Sequence, residues 1–334
     1  MQLTRWACLA AAAAIPVAAR AATFAAPAIQ RFDPELDRIL SVDARVEVIA
    51  SGYRWTEGPA WVRDGGYLLF SDVPANVVHR WKPGSGASPF LQPSGLVGPI
   101  PAAIREAGSN GLVIDGQGRL VMADSGTRAI ARVDLKTKRK TILADRYQGK
   151  RFNSCNDLVI ARSGAIYFTD PPYGLAEGDA SPLKEMKANG VYRLNTDGSV
   201  VQLDASLTRP NGIGLSPDQR TLYVSQSDEQ RPVILAYALD AAGLPQGSRV
   251  LADFSTEVSA KLPGLPDGMK VGASGHLFAS GPGGIYILAP DGRRLGLIST
   301  GKAIANCCFG EDGKTLFLTS SDSVARIRLN LSGW

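Results

Sequence analysis

Short runs of alternating apolar residues, cut by glycine- or aspartate-rich turns, recur along this chain of 334 residues, and a hydrophobic period of two is the mark of half-buried strands. Six runs open on an acidic or amide-bearing stretch: Glu57-Gly58-Pro59-Ala60-Trp61, Ser109-Asn110-Gly111-Leu112-Val113, Cys155-Asn156-Asp157-Leu158-Val159, Pro210-Asn211-Gly212-Ile213-Gly214, Pro266-Asp267-Gly268-Met269-Lys270 and Asn306-Cys307-Cys308-Phe309-Gly310. They return at intervals of about 40 to 55 residues, the period of propeller blades. A second apolar strand follows each, such as Tyr67-Leu68-Leu69-Phe70 or Ile166-Tyr167-Phe168-Thr169, and most repeats add a third and fourth. Four strands per repeat is a blade, so the pattern predicts an all-β, six-bladed propeller.

The last repeat has a third strand, Val324-Ala325-Arg326-Ile327-Arg328-Leu329, but no fourth before Trp334. Arg45-Val46-Glu47-Val48-Ile49, ahead of the first blade, is expected to supply it and close the ring, covering edges that an open sheet leaves bare. The predicted organisation is a leader over residues 1–22, an N-terminal extension over 23–44 and one propeller domain over 45–334. In an up-and-down sheet all six openings ring one mouth. Asp72, Asp124, Asp170 and Asp228, which follow second strands, fall near it, and the irregular insertions 93–108 and 173–189 emerge there, where loops on a rigid scaffold set specificity.

Composition adds limits. With 45% hydrophobic and 20% charged residues the chain can bury a large core. Arg5, an apolar Ala-rich run from Trp6 to Ala19 and small residues at Ala19, Ala21 and Ala22 read as a secretory signal peptide, because Pro16 and Arg20 cut the run short of the ~20 apolar residues of a membrane span. A bacterial periplasmic or exported protein is expected, with no membrane span and no obligate protein partner indicated. The net charge of +5 includes Arg5 and Arg20. The basic cluster Lys136, Lys138, Arg139 and Lys140 reads as a solvated hairpin turn, and nucleic-acid binding is not implied. Cys155, Cys307 and Cys308 sit at blade openings, a spacing that allows a bridge from Cys155 to one of the other two.

Four openings place an oxygen donor where the innermost strands converge: Glu57, Asn156, Asn211 and Asp267. Two carboxylates and two amides form an all-oxygen, dianionic set suited to one hard divalent cation, calcium first, with zinc, magnesium or manganese as alternatives. Taken singly, Asn-Gly, Asp-Gly and Asn-Asp are turn dipeptides; their repetition at one register of a ring favours ligands. Only two histidines occur, His79 in a third strand and His276 beside a hairpin turn, neither placed for a serine or cysteine triad, and there is no Gly-x-Ser-x-Gly elbow. Trp55 precedes Glu57 closely enough to touch the mouth, while Trp61 and Trp81 read as core.

Together with Asn153-Ser154-Cys155-Asn156-Asp157 and Tyr167-Phe168-Thr169-Asp170-Pro171-Pro172-Tyr173-Gly174, these openings resemble the gluconolactonase and regucalcin (senescence marker protein) family, LRE-like proteins included. The resemblance implies a six-bladed propeller that binds one divalent metal and hydrolyses sugar lactones or related esters. It carries metal ligation to Glu57, Asn156, Asn211 and Asp267, and substrate contact to Asn110, Asp170 and Tyr173. Cys155 stands where gluconolactonases commonly carry proline, and Ser154 where the regucalcin branch carries arginine, which points to the bacterial lactonase branch. The expected chemistry is metal-assisted opening of a small-molecule lactone, with Asp267 as first choice of general base and Glu57 second. The rivals are hydrolysis of another ester or a phosphoester at the same site, and a non-catalytic, metal-stabilised binding propeller.

Overall fold

The computed structural model describes residues 28–334; the leader expected over residues 1–22 lies outside them. Six antiparallel sheets stand around one axis, each with its first strand innermost. Blade one comprises Thr56–Val62, Tyr67–Asp72, Val77–Lys82 and Gly86–Leu91; blade two, Ser109–Ile114, Leu120–Asp124, Ala129–Val133 and Lys140–Ala144. Blade three comprises Leu158–Ile160, Ile166–Asp170, Gly190–Leu194 and Val200–Asp204; blade four, Pro210–Leu215, Thr221–Asp228, Arg231–Leu239 and Pro245–Asp253. Blade five has Met269–Val271, Leu277–Gly281, Gly284–Leu288 and Arg294–Ser299, and blade six Asn306–Gly310, Thr315–Ser320 and Ser323–Arg328. The fold is the predicted six-bladed β-propeller.

Ring closure follows the expectation with a small shift. The strand Glu47–Ser51 pairs antiparallel with Ser323–Arg328, Glu47 opposite Arg326 and Ser51 opposite Ser323, and so completes blade six. The extension ahead of it is not a bare linker. Ala28–Arg31 adds a fifth strand to blade five, Ala28 opposite Ser299. The short helix Leu36–Ile39 then buries Leu36 and Ile39 against Ile285, Ile298 and Leu316, bridging blades five and six. His276 fastens the same segment, its Nε2 3.1 Å from Glu35 Oε1.

Apolar residues between adjacent blades form the core, among them Leu69, Leu112 and Met122 between blades one and two, and Tyr223, Met269 and Leu277 between blades four and five. Trp61 stacks on Phe317 at 5.4 Å, which joins blade one to blade six. The three cysteines are free, against the bridge that their spacing allowed. Cys155 packs with Phe152 and Phe168 in blade three, whereas Cys307 and Cys308 belong to blade six on the opposite side of the ring. The basic cluster forms the predicted turn before Lys140, although Lys140 itself reaches inward to Asp124 Oδ2 at 2.8 Å. No helix among the described residues is long and apolar enough to cross a membrane.

Candidate active site

At the mouth lies a cavity of about 610 Å³. Glu57, Asn110, Asn156, Asn211 and Asp267 line it from five successive blades, with Glu106 and Tyr173 from the two expected insertions. The rest of the lining is largely apolar, Trp55, Val258, Leu262, Leu265, Ala303 and Ile304, with Lys261 among them. Much of it belongs to a third insertion that follows blade four and carries the one-turn helix Ser255–Ser259, which the sequence reading did not single out.

Two repeated devices hold the mouth residues in register. The glycine after a mouth residue is the slot into which the next blade fits: a Cβ on Gly58 would lie 2.0 Å from Asn110 O, on Gly111 2.8 Å from Asn156 O, and on Gly212 2.1 Å from Asp267 O. Asn-Gly taken singly is a turn dipeptide, yet Gly111 and Gly212 sit within innermost strands at ordinary φ, and their requirement is interblade contact. The second device, in blades one, three and four, is a hydroxyl near the end of the second strand that donates to the mouth carbonyl of the next blade: Ser71 to Asn110 O at 2.9 Å, Thr169 to Asn211 O at 2.6 Å and Ser225 to Asp267 O at 2.7 Å. Buried bonds of this kind fix backbone position because a lost partner would strand a dry polar group.

The oxygens so placed are short of partners. Asn110 Oδ1, Asn211 Oδ1 and Asp267 Oδ1 are each buried and accept no hydrogen bond. Chemistry fixes the Asn211 amide. Ser227 Oγ spends its one proton on Pro266 O, so toward Asn211 it acts as acceptor, and Asn211 Nδ2 donates to it at 2.9 Å, leaving Oδ1 free. Burial holds the Tyr173 phenol above the ordinary value and therefore protonated. Glu57 Oε2 accepts from Gly58 N at 2.8 Å. Burial first, then the neighbouring Asp157, pushes the Glu57 carboxyl up, and Asp267 is pushed up by burial and by Glu57, Asp157 and Glu106.

Asp170 does not line the cavity, contrary to the expectation that it forms a pocket wall. It is fully buried behind the loop, its two oxygens accepting Asn153 N at 2.7 Å and Ser154 N at 2.9 Å, so it shapes the approach to Asn156 without reaching substrate space. Asp72 plays the same part for Arg54 and Trp55, at 3.1 and 3.2 Å. Beneath the mouth the sixth opening residue, Asn306, faces inward and donates through Nδ2 to Asp157 Oδ2 at 3.3 Å, while Lys270 Nζ lies 3.4 Å from Asn306 Oδ1. Asp157 breaks the glycine rule at this register, and that break was its signal in the sequence. Glu106 gave none, because it sits in an insertion without periodicity.

No group of three or more His, Cys, Asp or Glu side chains gathers as a metal site among the described residues; the blade openings bring two carboxyls and three amides to the cavity, and Glu106 and Glu229 add carboxyls from loops. A closed all-β ring with an oxygen-lined mouth and long entry loops defines a propeller of the hydrolytic or ligand-binding kind. Residues 55–322 match the family model described as the SMP-30/Gluconolactonase/LRE-like region. A gluconolactonase of Zymomonas mobilis is 49% identical over an alignment of 352 residues that covers 99% of each chain. The solved gluconolactonase of Xanthomonas campestris superposes with a TM-score of 0.78 at 33% identity, covering 93% of this chain and 99% of that one. A regucalcin of Agrobacterium tumefaciens, described as a calcium-binding protein, shares the fold with a TM-score of 0.67 at 20% identity over 86% of this chain and 95% of its own. The chain belongs to the SMP-30/gluconolactonase/LRE-like family.

Proposed function

We propose that the protein opens a sugar lactone of the gluconolactone type in the mouth cavity, with a divalent cation held by Glu57, Asn156, Asn211 and Asp267. The enzyme is a lactonase. The observation that carries the cation is the pair of buried oxygens without partners, Asn211 Oδ1 and Asp267 Oδ1. A buried polar atom left unpaired costs about 1–3 kcal/mol, so those of Asn211 and Asp267 are a standing cost that a hard cation removes, while that of Asn110 is left for substrate. Two carboxyls, of which Glu57 raises Asp267, in an otherwise neutral amide shell fit calcium best, since it takes oxygen ligands in flexible number.

When bound, the cation supplies Lewis acidity at the lactone carbonyl and stabilises the charge that develops there. The chain's own groups do the rest. Asn110 and the protonated Tyr173 hydroxyl lie where they can bind the sugar's hydroxyls, and the apolar wall of Trp55, Leu262, Leu265 and Ile304 keeps bulk water from the ring. Asp267 is the first candidate to accept the proton of the attacking water, with Glu57 the second.

Metal analysis of the purified protein combined with hydrolysis of glucono-, galactono- and homoserine lactones tests this. Chelation is expected to abolish turnover and lower the melting temperature, and calcium at 100-fold its dissociation constant to return about 2.7 kcal/mol of stability. Undiminished hydrolysis after complete chelation would remove the cation from the reading. A calcium-loaded protein that opens no lactone would leave a binding propeller.

A further inference from the structure

Glu106 is a carboxyl on the cavity wall that comes from the insertion ahead of blade two and not from a blade opening; Glu229, at a hairpin tip of blade four, is another. Its backbone is fixed from both sides. Arg105 N and Glu106 N donate to Gly174 O at 2.8 and 3.2 Å, Ile104 bridges to Leu175, and the next residue's carbonyl, Ala107 O, accepts Leu96 N at 2.8 Å. Ile104, Ala107 and Leu175 are buried together beneath it, with Leu96 and Leu183 packed alongside. The rigid support ends in a carboxyl that is 19% exposed and whose Oε2 is buried without a partner. Such a group on a braced loop has been positioned at a cost in desolvation, with nothing inside the protein to offset it.

We propose that Glu106 is the general acid of ring opening, the group that hands a proton to the lactone ring oxygen as its bond to the carbonyl carbon breaks. The proposal rests on the lactonase reading above. Opening a sugar lactone expels an aliphatic alkoxide, a poor leaving group unless it is protonated as it departs. Asp267 could return the proton it takes from water, as the single histidine of a serine protease does. A second carboxyl on the cavity wall that keeps its proton until the ring bond breaks instead separates the two transfers, as paired carboxyls in unlike surroundings do. Water's oxygen bonds to the carbonyl carbon, its proton passes to Asp267, the ring C–O bond breaks and the Glu106 proton goes to the ring oxygen. The product is the hydroxy acid, and solvent then returns a proton to Glu106 and removes one from Asp267.

The groups facing Glu106 suit this division. Tyr173, on the opposed insertion, is neutral, and Asp267, on blade five, carries like charge. Arg105, on its own loop, is the opposing charge, but its Nε lies 4.0 Å from Oε1 and the side chain is 52% exposed, where water screens it. Burial outweighs it and holds the Glu106 carboxyl above the usual range.

The test compares two lactones that differ in their leaving groups. Glucono-δ-lactone expels an alkoxide and dihydrocoumarin a phenol, which leaves without help. Glu106→Gln is expected to lower kcat on the first about 100-fold or more, the weight of a general acid, with little change on the second and unchanged calcium binding by calorimetry. The alkaline limb of the gluconolactone pH profile should vanish in the variant. Glu106→Asp, which keeps the acid one methylene back, should recover part of the rate and serves if the glutamine variant folds poorly. Equal losses on both lactones, or none on either, would overturn the assignment. A wild-type enzyme inactive on both would instead overturn the lactonase reading.

Discussion

Replacing Gly212 by alanine inserts one methyl group between blades four and five at the mouth. A Cβ there would lie 2.1 Å from Asp267 O and 2.6 Å from Gly268 Cα, both backbone atoms that cannot swing aside. Ordinary contact needs roughly 3.5 Å, so the two innermost strands must part by more than 1 Å or the strand must tilt. Overpacking of this kind costs about 1–3 kcal/mol, which for a large domain lowers the melting temperature by roughly 2–4 °C per kcal/mol. The displaced residue is Asp267, so calcium affinity should fall along with stability. Gly116→Ala is the control, because its Cβ would meet nothing within 4 Å and its φ is ordinary. Differential scanning calorimetry and a calcium titration on both variants decide the matter. If Gly212→Ala melts with the wild type and binds calcium equally well, the glycine slots are not what sets the spacing of the mouth.

Two further outcomes follow from the buried charges. Lys270→Met removes the half-buried cation that opposes the Asp157 carboxylate across Asn306, and urea unfolding should show a loss of about 1–3 kcal/mol; adding Asp157→Asn should recover part of it, and strictly additive losses would refute the coupling. Asp170 is raised by burial from 3.8 to about 7, against the pull of Asn153 and Ser154 N–H. A group whose folded value exceeds its unfolded one binds more protons when folded, so its contribution disfavours folding increasingly as pH rises from about 4 to about 7 and is then constant. Asp170→Asn should therefore flatten the pH dependence of the melting temperature in that window, whatever it does to the absolute value, and an unchanged slope would contradict the shift.

The ring itself was legible because alternation and turn residues are local signals, and each blade repeats them. The openings marked Glu57, Asn110, Asn156, Asn211 and Asp267, and these five side chains line the cavity. The closing strand was placed two residues early, at 45–49 instead of Glu47–Ser51, although Gly52, at φ 98°, follows directly and marks its end. Ala28–Arg31 was missed for a different reason: four residues without periodicity become a strand only because Arg294–Ser299 offers an unpaired edge. Asp170 was misassigned because sequence position near the mouth does not say which way a carboxylate turns, and two backbone N–H groups had a claim on it. The pinning hydroxyls were readable in principle, as Ser71, Thr169 and Ser225 at corresponding positions of their second strands.

The extra strand on blade five fixes where anything ahead of it leaves the molecule. Ala28 pairs with Ser299, the last residue before the loop that carries Ala303 and Ile304 to the cavity. Its free end thus points toward the entry side, at the outer margin, some four strand spacings of about 4.8 Å from the innermost strand. A tether attached upstream, to a bead or a bilayer, would hold the opening toward that support, so that substrate reaches the enzyme from the narrow gap between them; a tether at the far end of the same sheet would leave the opening facing bulk liquid.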